Sequence, residues 1–104
     1  MGVKVIWTDF ALSQLEDIYD YFKTEAGQSI AKRIVKDLIK ETLVLERNPF
    51  LGVQEPHLID RPFEYRYLVK KNYKIIYRYN DSVIRVVSVF DSRQNPAKID
   101  KTPD

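Results

Sequence analysis

A chain of 104 residues, 44% apolar and 31% charged, has the size of one soluble globular domain with one core. With no Cys and a single His it can build neither a disulfide framework, a thiolate zinc site nor a multi-histidine centre, and no metal or cofactor is expected. The net charge of +2 hides a division: residues 1–60 carry seven Lys/Arg against ten Asp/Glu (−3), and residues 61–104 carry ten against five (+5), an asymmetry that suits either an anionic partner or an ordinary solvated surface.

The start, Met1 to Trp7, is too short an apolar run for a signal peptide, and no segment approaches the roughly 20 apolar residues of a membrane span, so a cytoplasmic, membrane-free protein is expected. Val3, Val5 and Trp7 alternate with Lys4 and Ile6 as in a strand. Thr8 then offers an oxygen to cap a helix starting near Asp9, whose apolar stripe is Leu12, Leu15, Ile18, Tyr19 and Phe22. Gly27 closes this helix in the left-handed conformation. A second helix runs from Gln28 or Ser29 toward Arg47 on the stripe Ile30, Ala31, Ile34, Leu38, Thr42 and Leu45, and Asn48-Pro49 stops it, because the residue before Pro is steered away from helical geometry.

From Phe50 to Pro62 no period holds, and a connecting loop is expected, with Leu51, Val53 and Leu58 folding back on the helical hairpin. His57 reads as a loop residue rather than a catalyst, since no second group in the sequence orients it. Tyr65–Leu68, Tyr73–Tyr79 and Ser82–Val89 then read as three antiparallel strands with a turn at Asn80-Asp81-Ser82. Arg66, Leu68 and Lys70 share one side of the first. On the second, Lys74, Ile76 and Arg78 lie opposite Tyr73, Ile75, Tyr77 and Tyr79, which are expected to pack on the helices. Residues 1–96 are expected to form the single domain and 97–104 a short polar tail that frays.

The economical arrangement of these elements is a two-layer α+β domain: an N-terminal strand and a helical hairpin packed across one face of a small, mainly antiparallel sheet. The other face is then expected to be open and to carry a combination of Arg66, Lys74, Arg78 and Arg85. Register decides which cations align. A turn centred on Asp81-Ser82 puts Arg78 directly opposite Arg85, a like-charge pair that costs energy unless an anion lies between them; a turn at Asn80-Asp81 puts Arg78 opposite Val83.

The element order, together with Glu64-Tyr65-Arg66, Tyr73-Lys74-Ile75-Ile76-Tyr77 and Phe90-Asp91-Ser92-Arg93-Gln94-Asn95-Pro96, resembles the RelE/ParE toxin superfamily over nearly the whole chain. The resemblance implies a small bacterial toxin with roles in plasmid stabilisation or growth arrest, neutralised by a cognate antitoxin, here expected to be acidic. In RelE-like members it implies a ribosome-dependent mRNA endoribonuclease, for which Arg66, Lys74 and Arg93 are the catalytic candidates. Such a reaction needs a base for the 2′-OH, cations for the phosphorane charge and an acid for the departing oxygen. Leu68 stands where a second strand Lys is expected and no Tyr follows Arg93, so that set is incomplete. The chain looks closer to the ParE-like branch, which acts on DNA gyrase without chemistry; Arg66, Lys74, Arg78, Arg85 and Arg93 are then binding residues. Other readings are the ribosome and its mRNA as target, or a basic binding domain without toxicity. A homodimer in the absence of antitoxin is a further expectation.

Overall fold

A computed structural model describes residues 2–104. Five strands, β1 (Lys4–Trp7), β2 (Val53–Gln54), β3 (Tyr65–Lys70), β4 (Tyr73–Asn80) and β5 (Val83–Asp91), form one sheet in the order β1-β5-β4-β3-β2. Only β1 and β5 pair in parallel, joined by a crossover that includes the helices α1 (Asp9–Ala26) and α2 (Gln28–Thr42). The architecture is the expected two-layer α+β domain.

Thr8 caps α1 by accepting a hydrogen bond from the Ala11 amide at 3.2 Å. Thr8→Ala is expected to lower stability by about 1 kcal/mol, read as a shift of the urea midpoint at unchanged slope. Gly27 ends α1 at φ 101°, ψ 161°, and its N–H bonds the carbonyls of Phe22 and Lys23. This is the extended mirror region, open essentially only to glycine, and not the left-handed helical region expected. Past Thr42, whose hydroxyl turns back to the Ile39 carbonyl, the chain tightens into a 3₁₀ turn over Leu43–Glu46 before Asn48-Pro49. Of the expected stripes, Leu15, Ala31, Leu38, Thr42 and Leu45 are buried. Leu12 is exposed and lines a shallow groove between the helices with Tyr19 and Val35.

The helices cover one sheet face through a core of Ala11, Leu15, Leu38 and Leu45 against Tyr73, Ile75, Tyr77, Ile84, Val86 and Val89. The opposite face is not open. Leu58, Tyr65, Ile76, Val87, Phe90 and Ile99 form a second, smaller core there. Two segments expected to be unstructured supply its cover: a 3₁₀ turn at Pro56–Leu58 and another at Pro96–Lys101. Leu58 therefore packs on the side away from the hairpin, while Val53 and Leu51 stay exposed. Part of the 97–104 segment packs on the sheet. Ile99 is 1% exposed, and its burial, with that of Thr102, anchors the segment.

Register at the β4–β5 turn follows from backbone sign. Asp81 and Ser82 have φ of 54° and 60°, the pair of positive values of a type I′ hairpin turn, and Asn80 pairs with Val83. Arg78 consequently faces Arg85. A bulge between Ile76 and Tyr77 keeps Tyr77 opposite Val86 on the helical side and lets Val87 join the second core.

Candidate functional site

The five cations singled out by the sequence do not share a surface. Arg66 pairs in register with Tyr77 and so lies on the helical side, whereas Lys74 and Arg78 alternate with Tyr77 and lie on the other. The expectation that Arg66 joins them on one open face is corrected here, because cross-strand partners share a side and successive residues do not.

Arg66, Lys74, Arg78 and Arg93 are also engaged by their own chain. Arg66 donates from Nη1 to the Gly52 carbonyl at 2.8 Å, meets Glu64 Oε2 at 2.6 Å through Nη2, and lies 5.3 Å from the Phe50 ring centroid. Lys74 donates from Nζ to Glu55 Oε1 at 3.0 Å and sits 4.1 Å over the Tyr67 ring. Glu55 is itself fully buried; its Oε2 accepts from the His57 amide at 2.9 Å, so both carboxylate oxygens are satisfied. Arg93 turns back onto Asp91 through Nε and Nη2, at 3.0 and 2.8 Å. Those bonds hold the Asp91 carboxyl below the usual carboxylate range, against a smaller opposing effect of burial.

Arg78 donates to Asn80 Oδ1, stacks 4.1 Å over Phe63 and reaches the main-chain oxygen of Asp104 at 3.5 Å. Arg85, its cross-strand neighbour, has a buried Nη1 with no hydrogen-bond partner. Beside them Asp104 Oδ1 accepts from Arg61 Nη1 at 3.0 Å and from the Tyr65 hydroxyl at 2.9 Å. Burial pushes the Tyr65 phenol up, and the bond to Asp104 adds to the shift, so Tyr65 is a standing donor at neutral pH. Arg61, Tyr65, Asp104 and Glu55 carried no sequence-level signal of such roles. Only Glu55, an acidic residue directly before Pro56, could have been read as the cap of a turn.

A cleft of about 500 Å³ opens at the far end of β5, between α1 and the 96–101 turn, with Tyr21, Tyr73, Phe90, Asp91, Arg93 and Lys98 among its lining residues. Arg93 stands at its rim and is the candidate cation with the most exposed side chain among the ion pairs described here, at 62%. Its floor is the stretch of β5 beyond the end of β1, where the Val89 amide, lacking a strand partner on that side, bonds Gln14 Oε1 at 2.7 Å. No group of three or more His, Asp or Glu able to hold a metal occurs among the described residues. Nor is any of their helices long and apolar enough to cross a membrane.

Comparison with known proteins adds a family and a fold. Residues 5–96 match the family model described as the ParE toxin of the type II toxin–antitoxin system, parDE. No curated protein matches. Among solved structures, a chain of the chromosomal ParDE toxin–antitoxin system from P. aeruginosa superposes with a TM-score of 0.72 at 21% identity, over 86% of this chain and 95% of that one.

Proposed function

Because this chain belongs to the ParE toxin family of type II toxin–antitoxin systems, we propose that it arrests growth by binding DNA gyrase, makes and breaks no bond itself, and is held in check in the cytoplasm by a cognate acidic antitoxin. The observation that carries the non-enzymatic part is the dispersal of Arg66, Lys74 and Arg93. A phosphoryl-transfer site needs its cations converging on one phosphate. Here Arg66 and Lys74 lie on opposite sides of the sheet, and the three are matched to Glu64, Glu55 and Asp91 respectively. An acidic partner is supported by the +5 balance of residues 61–104. A homodimer in the antitoxin's absence is supported by the exposed apolar residues Leu12, Ile39, Leu43 and Val44 of the helical layer.

Adding the purified chain to gyrase and relaxed plasmid is expected to suppress supercoiling at near-stoichiometric protein, while mRNA on programmed ribosomes stays intact under the same conditions. Full supercoiling at large excess of the chain would overturn this reading, and cleavage restricted to ribosome-bound mRNA would replace it with the nuclease one.

A further inference from the structure

The cleft of about 500 Å³ off the free edge of β5 has α1 on one side and the 96–101 turn on the other. Its size lies within the roughly 300–1,000 Å³ of small-molecule sites. Three almost wholly buried residues line it with hydroxyl groups: Tyr73 at 5%, Ser88 at 1% and Thr102 at 5% exposure. None of these hydroxyls bonds another group among the described residues, and none is sealed from solvent as Arg85 Nη1 is. Each therefore offers its hydrogen-bonding capacity to the cleft, where buried polar groups are ordinarily satisfied. Burial pushes the Tyr73 phenol up, and the nearby Asp91 adds to the shift, which keeps it a neutral donor.

Charge is unevenly placed across the same space. On the turn side, Lys98 meets only the neutral Gln94 side chain, at 3.3 Å, and Lys101 meets no carboxylate among the described residues. Arg93 is already matched to Asp91. On the α1 side stands one carboxylate, Asp17, also outside the ion pairs. Phe10 and Tyr21 present exposed rings from α1, and Phe90 belongs to the floor.

We propose that this cleft binds a small planar aromatic anion. Its anionic group is drawn to Lys98 and Lys101, its ring lies against Phe10 and Tyr21, and its polar atoms are bonded by the hydroxyls of Tyr73, Ser88 and Thr102. Asp17 repels a negative group from the α1 wall and so orients the ligand, with its ring toward α1 and its charge toward the turn. For the same reason a single anionic group suits the cleft and a run of phosphates does not. Apolar walls with a few placed polar groups are the usual composition of such a site. The site is independent of the gyrase reading, because its occupancy is read without gyrase.

The test is calorimetric titration of the full-length chain with naphthalene carboxylate, beside naphthalenemethanol, which keeps the ring without the charge, and acetate, which keeps the charge without the ring. Saturable one-to-one binding of the carboxylate is expected, with both partial analogues at least about tenfold weaker. Tyr73→Phe, which removes only the hydroxyl, is expected to weaken binding by about threefold to tenfold, the scale of one hydrogen bond. Lys101→Ala is expected to weaken it by about tenfold, and Lys32→Ala, an exposed change of equal charge on α2, to leave it unchanged. The proposal is overturned if the carboxylate does not bind, if the alcohol binds as tightly, or if Lys101→Ala and Lys32→Ala have equal affinity. It is also overturned if a single-stranded oligonucleotide displaces the carboxylate at lower concentration than the unmodified ligand does. A Tyr73→Phe protein that folds and binds normally overturns the assignment of that hydroxyl; should it fail to fold, the comparison of Lys101→Ala with Lys32→Ala decides alone.

Discussion

Lys74→Ala is expected to lower the unfolding free energy by about 3–5 kcal/mol, the largest effect of any single cation removal in this chain. Lys74 is a fifth exposed and its partner Glu55 not at all, so truncation strands a fully buried carboxylate. Glu55 Oε2 keeps the His57 amide, but Oε1 loses its only hydrogen-bond partner. Most of the loss is therefore the penalty on the residue left behind. The double variant Lys74→Met with Glu55→Gln is accordingly expected to be milder than Lys74→Ala, because it removes both charges and keeps most of the volume. Urea denaturation of the three proteins checks this. A Lys74→Ala protein as stable as the parent would release Lys74 from its structural role and return it to the list of ligand-binding groups.

Gly52→Ala is expected to be nearly as damaging, by about 1–3 kcal/mol from overpacking alone. A β-carbon there would lie 2.7 Å from the Tyr67 carbonyl oxygen and 2.8 Å from both Cε1 and the hydroxyl oxygen of Tyr77. A strand carbonyl paired across the sheet cannot retreat as a flexible side chain can. The same contact carries a buried hydrogen bond, Gly52 N–H to the Tyr77 hydroxyl at 2.9 Å, which in turn donates to the Pro49 carbonyl at 2.8 Å. Burial holds the Tyr77 phenol above its ordinary range, so it serves as a neutral donor and acceptor throughout. Tyr77→Phe should then cost about 1–3 kcal/mol, chiefly through the orphaned Gly52 amide. Because both changes strike one contact, the double variant is expected to fall short of the sum. Additive losses in thermal or urea unfolding would show that Gly52 and Tyr77 act separately.

These two contacts also define what becomes of the candidate cations. Tyr77 and Gly52 fix the edge where Arg66 bonds backbone carbonyls, and Glu55 fixes Lys74. Both cations are thus built into the join between the 49–58 segment and the sheet. Arg93, by contrast, is paired only with Asp91 two residues away, and its removal is expected to leave the unfolding midpoint where it was, which makes it the cleaner variant for binding experiments at the cleft.

The elements themselves were legible because their signals are local. Thr8 before an apolar stripe at helical spacing, Gly27 between two such stripes, and Tyr and Ile alternating with Lys and Arg from residue 73 each follow from the backbone period and the nearest neighbours. The side of the strand on which each cation lies was equally readable within a strand, but not between strands: whether Arg66 joins Arg78, or Arg78 meets Arg85, depends on pairing register, which a one-residue slip reverses. That register was decided by positive φ at Asp81 and Ser82 and by the bulge beside Ile76. The second core was out of reach for a related reason. The segments that close it, around Leu58 and Ile99, are short and aperiodic, so no period marks Leu58 or Ile99 as buried; their burial exists only because the sheet offers Ile76 and Val87 to cover. Sequence alone thus determined the two helices apart from the last turn of the second, every strand but β2, and the family resemblance, all of which rest on signals close along the chain. The tertiary structure decided which charges are neutralised and which are left over, since Glu55 finds Lys74, and Asp104 finds Arg61 and Tyr65, only across distances in sequence that the fold closes.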